Sequence, residues 1–251
     1  MNPESGAAPD PVADIRGTVK AICASGRPLV TLTYAQSLDG SISHRPEAPL
    51  ALSGPETKYL THRLRAAHDA ILVGVGTVLA DDPKLTARQV GGPHPRPVVL
   101  DSRLRTPPTA RVLQHPRGCI IAAAEDAPQE REAVLATAGA HVVRLPRGAT
   151  GVSLPALLSW LYEAQVCSLM VEGGRQVLTA FLQAGLVDWV LLTIVPYFVG
   201  GVPALAPLLP RSPQPDSVEA FPGLAPGWQV MRLGRDLVLW GQMPPANPAS
   251  R

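Results

Sequence analysis

The chain has three cysteines, Cys23, Cys119 and Cys167, which lie far apart and in no CxxC pair. Neither a disulfide framework nor a zinc site is therefore expected. Its six histidines are scattered, without HExxH or HxE spacing. They read as surface or structural side chains, and no metal is expected. Positive charge is in short supply too. The formal net charge is +2 and no dense Lys/Arg block occurs, which argues against a nucleic-acid partner. No apolar run reaches the roughly 18 residues that span a bilayer, and the opening MNPESGAAPD lacks the charged and apolar regions of a signal peptide. The expectation is a soluble, cytoplasmic protein with no membrane partner. Standard nucleotide fingerprints are also missing. Gly74 and Gly76 begin a GxG, but Leu79 stands where GxGxxG needs glycine. No P-loop GxxxxGK exists either, so a typical Rossmann dehydrogenase and a P-loop kinase both lose support.

Apolar content is ample: 46% hydrophobic and 17% charged residues in a chain of 251 describe a globular protein able to bury a sizeable core. Residues 1–26, rich in proline and glycine at their start, read as a largely flexible extension. Residues 244–251 read as a flexible tail. No composition break divides the 27–243 region, which is taken as a single domain. Within it, Leu29 to Ala35 (LVTLTYA) reads as a strand that leaves through an Asp39-Gly40 turn. Ser53 to Glu56 form an S-x-x-E capping box with Pro55 in the first turn. Leu60, Leu64 and Ala67 then recur at helical spacing, leaving Lys58, Arg63 and Arg65 on other faces. By themselves these cations read as solvated charges, although one of the arginines has the reach to meet a ligand.

From Ala70 to Val171 strands and helices alternate, with strands at 97–100, 120–123 and 141–145 and helices at 129–138 and 154–164. That pattern predicts an α/β fold with a mixed, largely parallel sheet flanked by helices. Another strand at 188–196 and a C-terminal β-hairpin, with arms at 228–233 and 237–241, complete it.

Two strand ends carry glycines. Ala70 to Gly74 is apolar throughout, as a strand buried on both faces reads. Gly74 and Gly76 let the backbone approach a ligand, and Thr77 is placed to cap a short helical turn ending at Asp81, Asp82 and Pro83. The second site is Glu172, Gly173 and Gly174, at the end of a strand and the start of a helix from about Arg175 to Ala184. Bare backbone amides at a helix start bind phosphate. Glu172 would repel an anion, so it suits the neutral part of a substrate. Between these sites, Asp101, Ser102 and Arg103 end a strand, and a cation there suits a ribose 2′-phosphate.

Four segments, LTYAQSLDGSIS, SGPETKYLTHRLRAAHDAILVGVGTVLADDPKLTAR, VVLDSRLRTPP and MVEGGRQVLTAFLQAGLVDWVLLTIVPYFVGG, together resemble the reductase family of riboflavin biosynthesis. The resemblance runs from about Pro28 to Gly241. It implies a dihydrofolate-reductase-like fold, NADPH as cofactor, a homodimer, and reduction of a ribosylaminopyrimidine 5′-phosphate to its ribitylamino counterpart. Carried over by residue, Ala35, Thr77, Asp81, Ser102, Gly173, Gly174 and Arg175 would meet NADPH. Arg65, Leu85, Arg88 and Glu172 would face the substrate, the arginines being suited to its 5′-phosphate. Glu172 and Asp39 are the two candidate proton donors for opening the ribose.

Many bacterial members are fused to a zinc deaminase, whose HxE and PCxxC are missing here, so deamination falls to a separate enzyme. The wording is closer to the stand-alone fungal and archaeal reductases, which act before deamination. Two other readings stay open. One is a same-fold NADPH reductase acting on a pterin, folate-like or secondary-metabolite substrate. The other is a non-catalytic nucleotide-binding paralogue.

Overall fold

The computed structural model describes residues 9–46, 48, 50–148, 151–208 and 217–245. Within them helix α1 spans Pro11–Cys23, β1 Leu29–Ser37, β2 Ser41–Ser43, α2 Pro55–Ala67, β3 Ala70–Gly74 and α3 Val75–Asp81. Next come β4 (Arg96–Leu100), β5 (Cys119–Ala124), α4 (Gln129–Thr137), β6 (Ala140–Leu145), β7 (Arg147–Gly148), β8 (Gly151–Val152) and α5 (Leu154–Glu163). The chain continues with β9 (Ser168–Gly173), α6 (Arg175–Gln183), β10 (Trp189–Val195), β11 (Val202–Pro203), β12 (Gln229–Leu233) and β13 (Asp236–Gln242).

Nine strands form one sheet in the order β12-β13-β10-β1-β9-β3-β4-β5-β6. The seven from β10 to β6 pair in parallel, and the terminal hairpin of β12 and β13 joins antiparallel at the β10 edge. This is the expected mixed, largely parallel α/β sheet. Parallel strands share a direction, so the C-terminal ends of β1, β9, β3 and β4 meet along one sheet edge, where open α/β folds receive ligands.

The unbroken apolar run of β3 follows from burial on both faces. Ala70 and Leu72 enter the core built on α5 and α6, whereas Ile71 and Val73 enter the core that holds Val75, Val78 and Leu135. A third core packs α1 and α2 on the other strands, through Val12, Ile15, Leu60, Leu64, Trp189 and Trp240.

Three expectations are corrected. First, α1 occupies much of the segment read as a flexible extension. Asp10 caps it by accepting from Val12 N at 3.1 Å, and Pro11 sits in its first turn, a position proline tolerates. Val12, Ile15, Val19 and Ile22 make an apolar stripe on the third core. Residues 1–8 of that extension, and 246–251 of the expected tail, lie outside the described residues.

Second, Cys23 and Cys167 form a disulfide across 144 residues, with a Cα–Cα distance of 5.2 Å. The bond ties the end of α1 to the entry of β9. Spacing could not reveal it, because the pairing depends on a helix that the composition concealed. The remaining thiol, Cys119, is buried, and burial pushes its pKa up to about 12 against the charge of Arg96.

Third, α2 is not started by Ser53. Its N-cap is Gly54, and the acceptor is Asp236 from the distant hairpin, whose Oδ2 takes hydrogen bonds from Gly54 N at 2.7 Å and from the Thr57 hydroxyl. Among the described residues no helix is long and apolar enough to cross a membrane.

Candidate active site

A cleft of about 770 Å³ opens along the C-terminal edge of the parallel strands. Each wall comes from a different strand end: Ala35 from β1, Gly74 to Thr77 and Asp81 from β3 and α3, Ser102 from beyond β4, and Glu172, Gly174 and Arg175 from β9 and α6. Seven of the sequence-predicted residues are thereby brought together.

The two glycine segments touch. A Cβ on Gly174 would stand 3.1 Å from Thr77 Oγ1, and one on Gly74 would stand 2.8 Å from Val177 Cγ2. Glycine at both positions lets β3 and the start of α6 approach this closely without displacing a neighbour. Helix α3 begins at Val75 with Gly74 as its N-cap, so Thr77 lies within the first turn rather than capping it, and it lines the cleft. Gly173 adopts φ +115°, a conformation that favours glycine. Burial raises the Asp81 pKa above the ordinary carboxylate value.

Glu172 is gripped by Arg65. The Nε of Arg65 donates to Oε1 at 2.7 Å and its Nη2 to Oε2 at 2.6 Å, and Nη1 reaches Thr86 O at 3.1 Å. Both side chains are about 15% exposed. Burial acts to lower the Arg65 pKa, but the charge and hydrogen bonds of Glu172 outweigh it and hold the guanidinium above its ordinary value. Arg65 therefore stands behind Glu172 and fixes the carboxylate at the cleft wall. His62, one turn earlier on α2, is buried beside this pair. Its pKa is lowered by burial, then by Arg65 and Arg88. Helical spacing from Arg65 would have pointed to it.

Three expected residues stand elsewhere. Arg88 is exposed and donates to the Thr86 hydroxyl at 3.5 Å. Leu85 is 2% exposed and packs in the core with Val75 and Val78, so its side chain does not face the cleft.

Asp39 accepts from Ser37 Oγ at 2.6 Å, Ser41 Oγ at 2.9 Å, Val199 N at 2.9 Å and Gly200 N at 2.7 Å. The Ser37 hydroxyl first, then the two backbone amides, hold its pKa far below the ordinary value. Asp39 thus ties the β1 exit to the 199–200 loop, and it is not among the residues that line the cleft.

Residues that went unread include Thr33 and Tyr34 of β1, Thr193 of β10 and Arg105. Thr193 lies opposite Ala35 in the parallel register. Strand pairing, which a single sequence does not display, is what places it there.

Comparison with known proteins fits this arrangement. The RibD C-terminal domain model matches residues 28–219. The chain belongs to the RibD C-terminal domain family. Within it, the chain is 40% identical over 185 residues to an Archaeoglobus fulgidus protein named 2,5-diamino-6-ribosylamino-4(3H)-pyrimidinone 5′-phosphate reductase, covering 70% of this chain and 83% of that one. A Methanothermobacter thermautotrophicus protein of the same name is 42% identical over 178 residues, covering 70% and 81%.

Among solved structures, the riboflavin biosynthesis reductase Rib7 of Saccharomyces cerevisiae superimposes with a TM-score of 0.66 at 28% identity, covering 90% of this chain and 97% of that chain. Acinetobacter baumannii RibD shares the fold, with a TM-score of 0.71 at 24% identity, and this RibD-family chain spans 59% of its length. Helix α1 and Cys23 precede the matched region.

Proposed function

We propose that this RibD-family protein is an NADPH-dependent reductase acting on 2,5-diamino-6-ribosylamino-4(3H)-pyrimidinone 5′-phosphate, and that it converts the ribose to a ribityl chain in riboflavin biosynthesis. The observation that carries the reading is the convergence of the Gly74–Thr77 and Glu172–Gly174 strand ends on one cleft beside Ser102. The names of its archaeal relatives support the substrate.

The residues present fit a dinucleotide. Gly174 and Thr77 form a cradle that a Cβ would fill, and the start of α6 offers backbone amides for phosphates. Asp81 and Ser102 offer groups for ribose hydroxyls, and Ala35 leaves room on the β1 side. When bound, NADPH supplies the hydride. The chain's part is to align the reacting carbon, C1′ of the substrate, and to exclude water. Glu172, oriented by Arg65, binds polar groups of the substrate and is the remaining carboxylate placed to exchange a proton as the ribose opens. Arg88, whose guanidinium is exposed, is assigned to the 5′-phosphate.

A homodimer belongs to the proposal, with exposed Val230 and Leu237 on the terminal hairpin offering apolar area. So does a separate deaminase acting after this step. The test is NADPH consumption with the diamino and the deaminated pyrimidines offered separately. Turnover of the diamino form is expected, and consumption with neither overturns the proposal.

A further inference from the structure

The segment after β4 is more firmly built than a plain loop. Asp101, fully buried, accepts from Thr106 N at 2.7 Å and from Thr106 Oγ1 at 2.8 Å. Its carbonyl takes the Leu104 amide at 3.1 Å. Leu104 is itself fully buried and holds φ +55°, a left-handed conformation that a branched side chain keeps only when its surroundings impose it. Arg131 clamps the loop from outside, with Nε on Leu104 O and Nη2 on Thr106 O, both at 2.9 Å. Arg103 and Arg105 therefore leave the chain on either side of a fixed plug.

Three of the cations around this loop are committed to protein acceptors. Arg131 is spent on the clamp. Arg147 donates twice to Asp126, and the charge of Arg103 acts on the same Asp126. Arg144 holds Glu132 and the carbonyls of Glu125 and Ala127. Neither Arg103 nor Arg105 has a hydrogen-bond acceptor among the described residues, but of the two it is Arg105 that lines the cleft, together with Ser102.

The β4 end lies next to the β3 end in the sheet and two strands from β9, about 10 Å from the Glu172–Gly174 turn at the usual strand spacing. An unpaired guanidinium on a rigid loop beside a hydroxyl fits a phosphate monoester through paired charge-assisted hydrogen bonds.

We propose that Arg105, rather than Arg103, reads the 2′-phosphate of the adenosine ribose, with Ser102 beside it, and so sets a preference for NADPH over NADH. The assignment rests on the cofactor reading above. Calorimetric titration of the wild type, Arg105→Ala and Arg103→Ala with NADPH, NADH, 2′,5′-ADP and 5′-ADP tests it without turnover.

Arg105→Ala is expected to weaken NADPH and 2′,5′-ADP about tenfold to hundredfold, to leave NADH and 5′-ADP unchanged, and to retain the wild-type melting temperature. Arg103→Ala is expected to keep the preference. Equal losses for both cofactors in Arg105→Ala, no loss, or the selective loss in Arg103→Ala overturns the assignment. A wild type that binds NADPH and NADH alike overturns it and leaves the nicotinamide site standing. A wild type that binds neither overturns both.

Discussion

Arg65 holds both carboxylate oxygens of Glu172 in a fork, at 2.7 and 2.6 Å, across 107 residues of sequence. The pair joins α2 to the lip of β9, so the residue nearest the proposed chemistry is set by a helix that does not itself carry the cofactor cradle. Removing one partner leaves the other largely buried and unpaired. Glu172→Gln is expected to lower stability by about 2–4 kcal/mol and to cut kcat more than it raises KM. Arg65→Met should lower kcat as well, because Glu172 loses its orientation. Chemical denaturation and steady-state kinetics of both variants check this. Wild-type kcat in Glu172→Gln would leave the proton to water or to the substrate.

Asp39 gives a prediction in pH. Its folded pKa is depressed by the Ser37 hydroxyl and by the Val199 and Gly200 amides. The stabilisation it provides is therefore full above the unfolded carboxylate pKa of about 4 and is lost as pH falls below that toward the depressed folded value. Asp39→Asn should melt lower than the wild type at neutral pH, and the gap should narrow progressively below about pH 4. Since Asp39 faces the 199–200 loop, kcat should fall by less than about tenfold. A gap that stays constant with pH would show that the carboxylate is not held as described.

The Cys23–Cys167 bond fastens α1, which precedes the family-matched region, to the base of β9. Cys23→Ser, or reduction of the wild type, is expected to cost about 2–4 kcal/mol. NADPH affinity should stay unchanged, because the cleft lies at the opposite end of β9. Equilibrium unfolding with and without reductant, beside cofactor titration, reads both effects.

Gly174 and Thr77 make a prediction about the cradle. Gly174→Ala places a methyl group 3.1 Å from Thr77 Oγ1, in the space assigned to the cofactor. NADPH affinity should fall at least about tenfold, and Thr77→Val, which loses one hydrogen bond, should weaken it about fivefold. Fluorescence titration measures both. Wild-type affinity in Gly174→Ala would remove the cradle from the site.

Much of the fold was legible because its signals are local. The run AILVG needs both faces buried, and the alternation after it specifies a parallel sheet. Helix α1 was concealed because proline and glycine before residue 12 outweighed the four-residue stripe Val12, Ile15, Val19, Ile22. The site's glycines, hydroxyls and Glu172 were legible as strand-end residues. What stayed hidden was long-range. The Arg65 fork, the Asp236 cap on α2 and the disulfide join positions more than 100 residues apart. The choice of Arg105 over Arg103 turns on the left-handed backbone of Leu104, a conformation that the residue type gives no hint of.

The central claim is hydride delivery to C1′ of the ribose within this cleft. The most direct measurement uses NADPH carrying deuterium at both C4 positions, with the diamino ribosylaminopyrimidine 5′-phosphate as substrate and mass spectrometry of the product. The account predicts a ribitylamino product bearing a single deuterium, at C1′. A product without deuterium, or deuterium at any other carbon, would contradict it.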